Sequence, residues 1–379
     1  MGRFNQIRRK KIGVLTSSRA DYGIYSPLFR YWKTQEWIEV ERIIFGPHLL
    51  LEIKSSLDLI QKDSFGSYRV VGDFKKTNYP RDVVNSYAEI MANFSSYWGN
   101  YQYDCIFALG DRFEMSAAVQ ATIPFHIPIV HIHGGETTLG AIDNIYRHQI
   151  SLASQLHFTS TETYRKRVAE IIGTEKNIFN VGSLSLSELH FASIKPWKEV
   201  AFLYKIPQES FILITMHPET DILTDFQNEL NELYKVLKSL INRYFLVITG
   251  SNSDQNHKSI EFFFKRFCED YPSRALYINS LGRENYFSAL YNCSFVLGNS
   301  SSGIIESASF CKYAFNLGKR QTGRITNENT FTIPFESRSI LKSIAELEKN
   351  GLDYRGQNIY QKKNVPQKIN QHLKYFLST

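Results

Sequence analysis

Cysteine is scarce in this chain. Four occur in 379 residues, Cys105, Cys268, Cys293 and Cys311, and no two form a CxxC pair. Such spacing points to a reducing compartment rather than a disulfide-stapled fold. Cys105 and Cys293 lie within apolar runs and read as small core residues. Long apolar runs are missing too: none approaches the ~20 residues that span a bilayer, so no membrane partner is expected. The basic opening MGRFNQIRRKK leads into KIGVLTSS, which is too short and too soon polar for a signal peptide. Gln6 breaks the myristoylation pattern. The expected location is cytoplasmic. No low-complexity tract or short repeat appears, and 43% hydrophobic with 14% aromatic residues excludes a disordered chain. Finally, no GxGxxG follows the first strand-like run, which disfavours a dinucleotide cofactor.

Charge is mildly unbalanced, with 44 Lys and Arg against 37 Asp and Glu, a net +7. Part of the excess is the solvated basic start. Basic residues do not alternate with stacking aromatics along any face, so nucleic acid is not an expected partner. An anionic small molecule suits the balance.

What the sequence has in quantity is short β-branched runs separated by helix-length segments. The first half gives IGVLTSS (12–18), VERIIFG (40–46), YDCIFALGD (103–111), IPIVHIHGG (127–135), LHFTST (156–161) and IFNVGS (178–183). The second gives SFILITMHPE (210–219), RYFLVITGS (243–251), ALYINSL (275–281), SFVLGNSS (294–301) and YAFNLGKR (313–320). Near-continuous hydrophobicity within such runs signals parallel strands covered on both faces. The fold class is therefore α/β, with two Rossmann-like doubly wound domains facing a cleft. Pro196 and Pro207 mark a change of rhythm, which places domains at 1–188 and 189–360. Residues 361–379 read as an amphipathic helix packing back on one of them.

Polar clusters follow the strand-like runs: TSSRADYG, GDRFE, HIHGGE, HPET and GNSSSG. Open parallel sheets bind ligands outside the carboxyl ends of their strands, so these clusters are the candidate site. In NSSSGIIE, Ser300, Ser301 and Ser302 offer hydroxyls and free backbone N–H groups to a phosphate, and Glu306 offers a carboxylate to a ribose diol. A plain N-cap with its acidic partner has the same composition. Arg19, beside Ser17 and Ser18, is either a surface residue or a bidentate partner for a diphosphate. Asp111 is either an acid–base group at a strand end or a helix cap, with Arg112 beside it. His131 and His133, two apart on a strand, should point the same way, and Glu136, Asp143, Arg147 and His148 follow. Asp143 and Arg147 have the i,i+4 spacing of a helical ion pair. The cluster has no nearby cysteine and no His-x3-His pair, so no metal is expected. His217 precedes Pro218 at another strand end.

In order along residues 11 to about 325, TSSRADYG, LGDRFE, HIHGGETTLGAID, RHQIS, HFTSTETYRKRV, HPET, GSNSD, GNSSSGIIE and GKRQTGR resemble the UDP-N-acetylglucosamine 2-epimerases, in particular the hydrolysing branch of sialic and legionaminic acid synthesis. The resemblance implies a GT-B-like pair of domains, the first serving the sugar and the second UDP. It implies that Arg19 approaches the diphosphate and that His217, Ser300, Ser301, Ser302, Glu306 and Arg320 hold UDP. It also implies that Asp111, Arg112, Asp143 and Arg147 surround the sugar, with Asp111, His133, Glu136 and Asp143 as acid–base candidates. Relatives commonly carry Glu where this chain has His133, Lys at Leu152 and Asp at Lys319. The implied reaction releases UDP and inverts C2, giving N-acetylmannosamine from UDP-N-acetylglucosamine; a 4-acetamido-6-deoxy analogue is the alternative substrate. A UDP-sugar glycosyltransferase of the same fold is the rival activity. No cofactor is required, and a homodimer or homotetramer is implied.

Overall fold

The computed structural model describes residues 8–50, 54–77, 79–139, 141–187, 189, 194–219, 226–250 and 257–378. The chain forms two compact units. One comprises Met1–Glu136, Asp143–Glu188 and Gln361–Thr379, and the other Thr137–Ile142 and Leu189–Tyr360.

The first unit is built on β1 (Lys10–Thr16), β2 (Ile38–Ile44), β3 (Ser67–Val70), β4 (Cys105–Leu109), β5 (Ile129–Ile132), β6 (Leu156–Thr159) and β7 (Ile178–Asn180). The strands are all parallel, in the order β3-β2-β1-β4-β5-β6-β7. The central strand β4, CIFAL, is buried at every position. Successive side chains enter different cores: Phe107 joins Val14, Tyr25 and Trp32 on one face, and Ile106 and Ala108 join Leu15, Phe94 and Trp98 on the other. A strand can be apolar on both faces only because helices cover both.

The second unit repeats the plan with β8 (Phe211–Thr215), β9 (Phe245–Thr249), β10 (Ala275–Ile278), β11 (Val296–Gly298), β12 (Ala314–Leu317) and β13 (Thr330–Ile333). The parallel order is β10-β9-β8-β11-β12-β13. In β8, Ile212 and Ile214 enter one core and Leu213 the other.

In both sheets the winding reverses beside the first strand, between β1 and β4 and between β8 and β11. Loops diverge at such a point and leave a crevice at the carboxyl ends. At the second reversal the backbones come very close: Gly298 has φ +139°, and a Cβ there would lie 2.0 Å from the Thr215 carbonyl oxygen. Only glycine fits.

Eleven of the thirteen strands coincide with the sequence-based runs. The other two, β3 (SYRV) and β13 (TFTI), are short edge strands, mostly half-buried or exposed. An edge strand lacks the buried neighbour that demands continuous hydrophobicity, so neither carried the signal. The C-terminal helix Val365–Phe376 packs on the first unit, where Val365, Ile369 and Leu373 are fully buried among Val14 and Phe158. Thr137–Ile142 packs with the second unit: the Leu139 N–H donates to the Thr322 carbonyl at 2.8 Å.

Candidate active site

At the end of β5 the chain turns sharply. The strand stops at Ile132, and His133 takes a left-handed φ of +64°, uncommon for a residue with a Cβ. His131 and His133 therefore do not share a face, contrary to the period-two expectation. His131 is fully buried within β5, its Nε2 bonded to the Gly110 carbonyl at 2.9 Å and its Nδ1 to Ser151 Oγ at 3.1 Å. Burial holds its pKa well below the usual histidine value, so it is neutral and braces the turn that precedes Asp111.

His133 is brought into a cluster instead. Arg147, from the helix Asp143–Ala153, is 2% exposed. Its guanidinium donates to the His133 carbonyl at 2.8 Å and to Asp111 Oδ2, and lies 3.8 Å from Glu136 Oε2. Its Nε is buried without a hydrogen-bond partner among the described residues. Glu136 accepts from Ser160 Oγ at 3.0 Å and lies 3.8 Å from His133 Nδ1. The Leu184 N–H donates to His133 Nε2 at 3.4 Å, which puts the ring proton on Nδ1, toward Glu136. Two carboxylates thus share one buried cation with an imidazole beside them. Glu136 is nearly closed to solvent while the Asp111 side chain is 26% exposed, so the two carboxylates have unlike environments.

Arg147 reaches Asp111, Glu136 and a carbonyl, so tertiary pairs across the sheet, rather than the i,i+4 spacing, organise it. Asp143 is half-buried at the first position of the same helix. Asp111 does not cap a helix; the cap position before Phe113–Gln120 is Arg112. The Arg112 guanidinium forms a two-pronged pair with the buried Glu114, at 2.9 and 3.1 Å. Arg19 is exposed at the start of the helix Arg19–Trp32, whose Ser18 and Asp21 form a reciprocal capping box. Asp21 also accepts from the Ser17 N–H at 2.8 Å and the Ser17 hydroxyl at 2.7 Å.

The second unit gathers the remaining candidates at the ends of β8, β11 and β12. Ser300 caps the short helix Ser301–Ile305, and Glu306 stands at its C-cap rather than inside it. Ser302 Oγ lies 2.7 Å from both Glu306 Oε2 and the Tyr286 hydroxyl, a relay that orients the carboxylate. Burial, and then the Glu306 charge, push the Tyr286 phenol pKa up, so its proton is retained. His217, two residues past β8, is buried, and Arg320 follows β12.

Residues that sequence reasoning did not single out for this site hold these loops together. Asn299, fully buried, accepts from the His217 N–H at 2.7 Å and donates to the His217 carbonyl at 2.9 Å. Glu219 Oε1 accepts the N–H groups of Lys319 and Arg320 at 2.6 and 3.0 Å. The only signal was position: Asn299 directly follows β11 and Glu219 lies four residues past β8, within the polar clusters GNSSSG and HPET. Among the described residues, no three His, Cys, Asp or Glu side chains are placed to hold a metal ion.

Two parallel doubly wound sheets, with polar clusters at the carboxyl ends of their strands, define an α/β protein of two units in which ligands are expected at those strand ends. The chain belongs to the UDP-N-acetylglucosamine 2-epimerase family, which it matches over residues 32–374. It is 31% identical to the polysialic acid biosynthesis protein P7 of Escherichia coli, across 88% of this chain and 85% of that one. It is 32% identical to the GDP/UDP-N,N'-diacetylbacillosamine 2-epimerase (hydrolyzing) of Campylobacter jejuni, across 85% and 83%. The fold is that of the Methanocaldococcus jannaschii UDP-GlcNAc 2-epimerase solved with UDP-GlcNAc and UDP, with a TM-score of 0.80, 13% identity, and 96% and 99% of the two chains covered. No described helix is long and apolar enough to cross a membrane.

Proposed function

We propose that this protein is a hydrolysing 2-epimerase of a UDP-linked N-acetylhexosamine, with UDP-N-acetylglucosamine as substrate and UDP and N-acetylmannosamine as products. The observation that carries the reading is the convergence of Asp111, His133 and Glu136 on buried Arg147 beside a sheet reversal. Inverting C2 requires one group to remove its weakly acidic proton and another to return a proton from the opposite face. As the C2 proton leaves, the C1–O bond to UDP breaks and a glycal forms. Water then adds at C1 while C2 is reprotonated. Asp111, His133, Glu136 and Asp143 are the proposed acid–base groups, and Arg147 is the buried cation that holds the Asp111 and Glu136 carboxylates at one point. In the second unit, His217, Ser300, Ser301, Ser302, Glu306 and Arg320 are the proposed UDP ligands; Glu306 would accept from the ribose hydroxyls, while donors such as the serine hydroxyls and Arg320 stabilise a diphosphate as it gains charge on leaving. Arg19 and Arg112 are proposed to contribute from the first unit.

The relative in Campylobacter jejuni favours a second substrate, the UDP-linked 2,4-diacetamido-2,4,6-trideoxy sugar. Offering both UDP-sugars in deuterated water, with no acceptor, decides the matter. Free 2-epimeric sugar with deuterium at C2 is expected from one of them. Product without deuterium would overturn elimination, and no product without an acceptor would favour a glycosyltransferase.

A further inference from the structure

The three loops that carry the proposed UDP ligands leave three different strands, and a single residue ties them together through its side chain and its backbone. Asn299 directly follows β11. Its backbone N–H extends the β8–β11 pairing, donating to the Thr215 carbonyl at 3.2 Å. Its side-chain amide then pairs with both backbone groups of His217, as a neighbouring strand would, at 2.7 and 2.9 Å. Its own carbonyl, just before Ser300, accepts from Arg320 at 3.3 Å and from Gln321 Nε2 at 2.9 Å. One residue thus links His217 after β8, Ser300 after β11, and Arg320 after β12.

The chemistry makes the residue type specific. Pairing with one N–H and one carbonyl of the same residue needs an acceptor and a donor side by side on one planar group, which a carboxamide supplies without any change of protonation. Aspartate would keep the acceptor and lose the donor. Glutamine, one methylene longer, would not fit a site that is fully buried. The strand pairing runs only one residue past Gly298 and Leu317, through the Asn299 and Gly318 N–H groups, so beyond it the loops are held by side chains, those of Asn299 and Glu219 among them.

We infer that Asn299 is a positioning residue that holds His217, Ser300 and Arg320 in the arrangement that binds UDP, with Gln321 as its outer brace. The inference rests on the UDP reading above. Gln321 is also buried, and its Oε1 has no hydrogen-bond partner among the described residues. Replacing it with methionine therefore removes the brace on Asn299 at little cost to stability.

Calorimetric titration of the full-length protein with UDP tests this. Wild-type protein that fails to bind UDP would sink the UDP reading and this inference with it. Given wild-type binding, Asn299→Ala is expected to raise the Kd for UDP at least fivefold at a temperature where circular dichroism shows it folded, and to raise the KM of the UDP-sugar in step. A folded Asn299→Ala protein with a smaller change in Kd, whatever its melting temperature, would show a purely structural role and overturn the inference alone. Should Asn299→Ala not fold, Gln321→Met decides. A rise in Kd of threefold or more, with melting unchanged, is expected, and a smaller rise overturns the inference.

Discussion

Glu306 and Asp143 separate binding from chemistry at the scale of single residues. Glu306 is held by Ser302, itself 2.7 Å from the Tyr286 hydroxyl, so its carboxylate is pre-oriented before any ligand arrives. Glu306→Ala is expected to weaken UDP binding by ~1–3 kcal/mol, the cost of losing charged acceptors. Calorimetry that gives the wild-type affinity would remove the ribose role. Asp143 opens the helix that carries Arg147, while the ion pairs of Arg147 run to Asp111 and Glu136. Asp143→Asn keeps shape and hydrogen bonding but cannot accept a proton. Turnover is expected to fall by at least ~10²-fold, with UDP affinity and melting temperature nearly unchanged. Near-normal turnover would confine Asp143 to a structural role. These residue types were legible as candidates because they cluster after strand runs. Their partners were not, since Arg147 meets Asp111 across 36 positions of sequence.

At the scale of elements, the C-terminal helix Val365–Phe376 is the clearest case of a remote segment completing a core. Leu373 is fully buried with Val14 and Phe158, strands away in sequence, whereas Tyr375 is largely exposed. Leu373→Ala is expected to cost ~2–5 kcal/mol of unfolding free energy, and Tyr375→Ala within about 0.5 kcal/mol. Urea unfolding of the two variants checks this, and equal costs would mean the helix does not belong to the core. The amphipathic pattern of this segment was readable. Its destination was not, because an apolar stripe states that it needs a partner and not which one. The same limit explains the turn at His133, where a pattern of period two predicted a strand that the left-handed backbone ends one residue earlier.

At the scale of the whole molecule, stability should depend on pH through histidines locked neutral. Burial pushes both His48 and His157 down to about 4, and His131 well below its ordinary value. An unfolded chain takes up these protons near pH 6.5 while the fold refuses them. The stability they contribute is therefore complete above pH 6.5 and is lost as pH falls toward 4, by ~3 kcal/mol for each of His48 and His157. Denaturation midpoints at pH 7.5, 6 and 5 should fall in that order. His157→Asn should flatten part of the decline, and an unaltered slope in that variant would exclude His157 as a source.

Composition and pattern alone determined the α/β class, eleven of the strands and the places where polar clusters follow them. These are local properties: a strand buried on both faces must be apolar throughout, and a loop that meets a ligand must be polar and small. Tertiary structure decided the rest. It chose Asp111 and Glu136 as partners for Arg147, gave Asn299 its three loops, seated the last helix on the first unit and added two edge strands. Each depends on which distant backbone lies alongside, and hydrogen bonds and ion pairs form over ångströms of space rather than intervals of sequence.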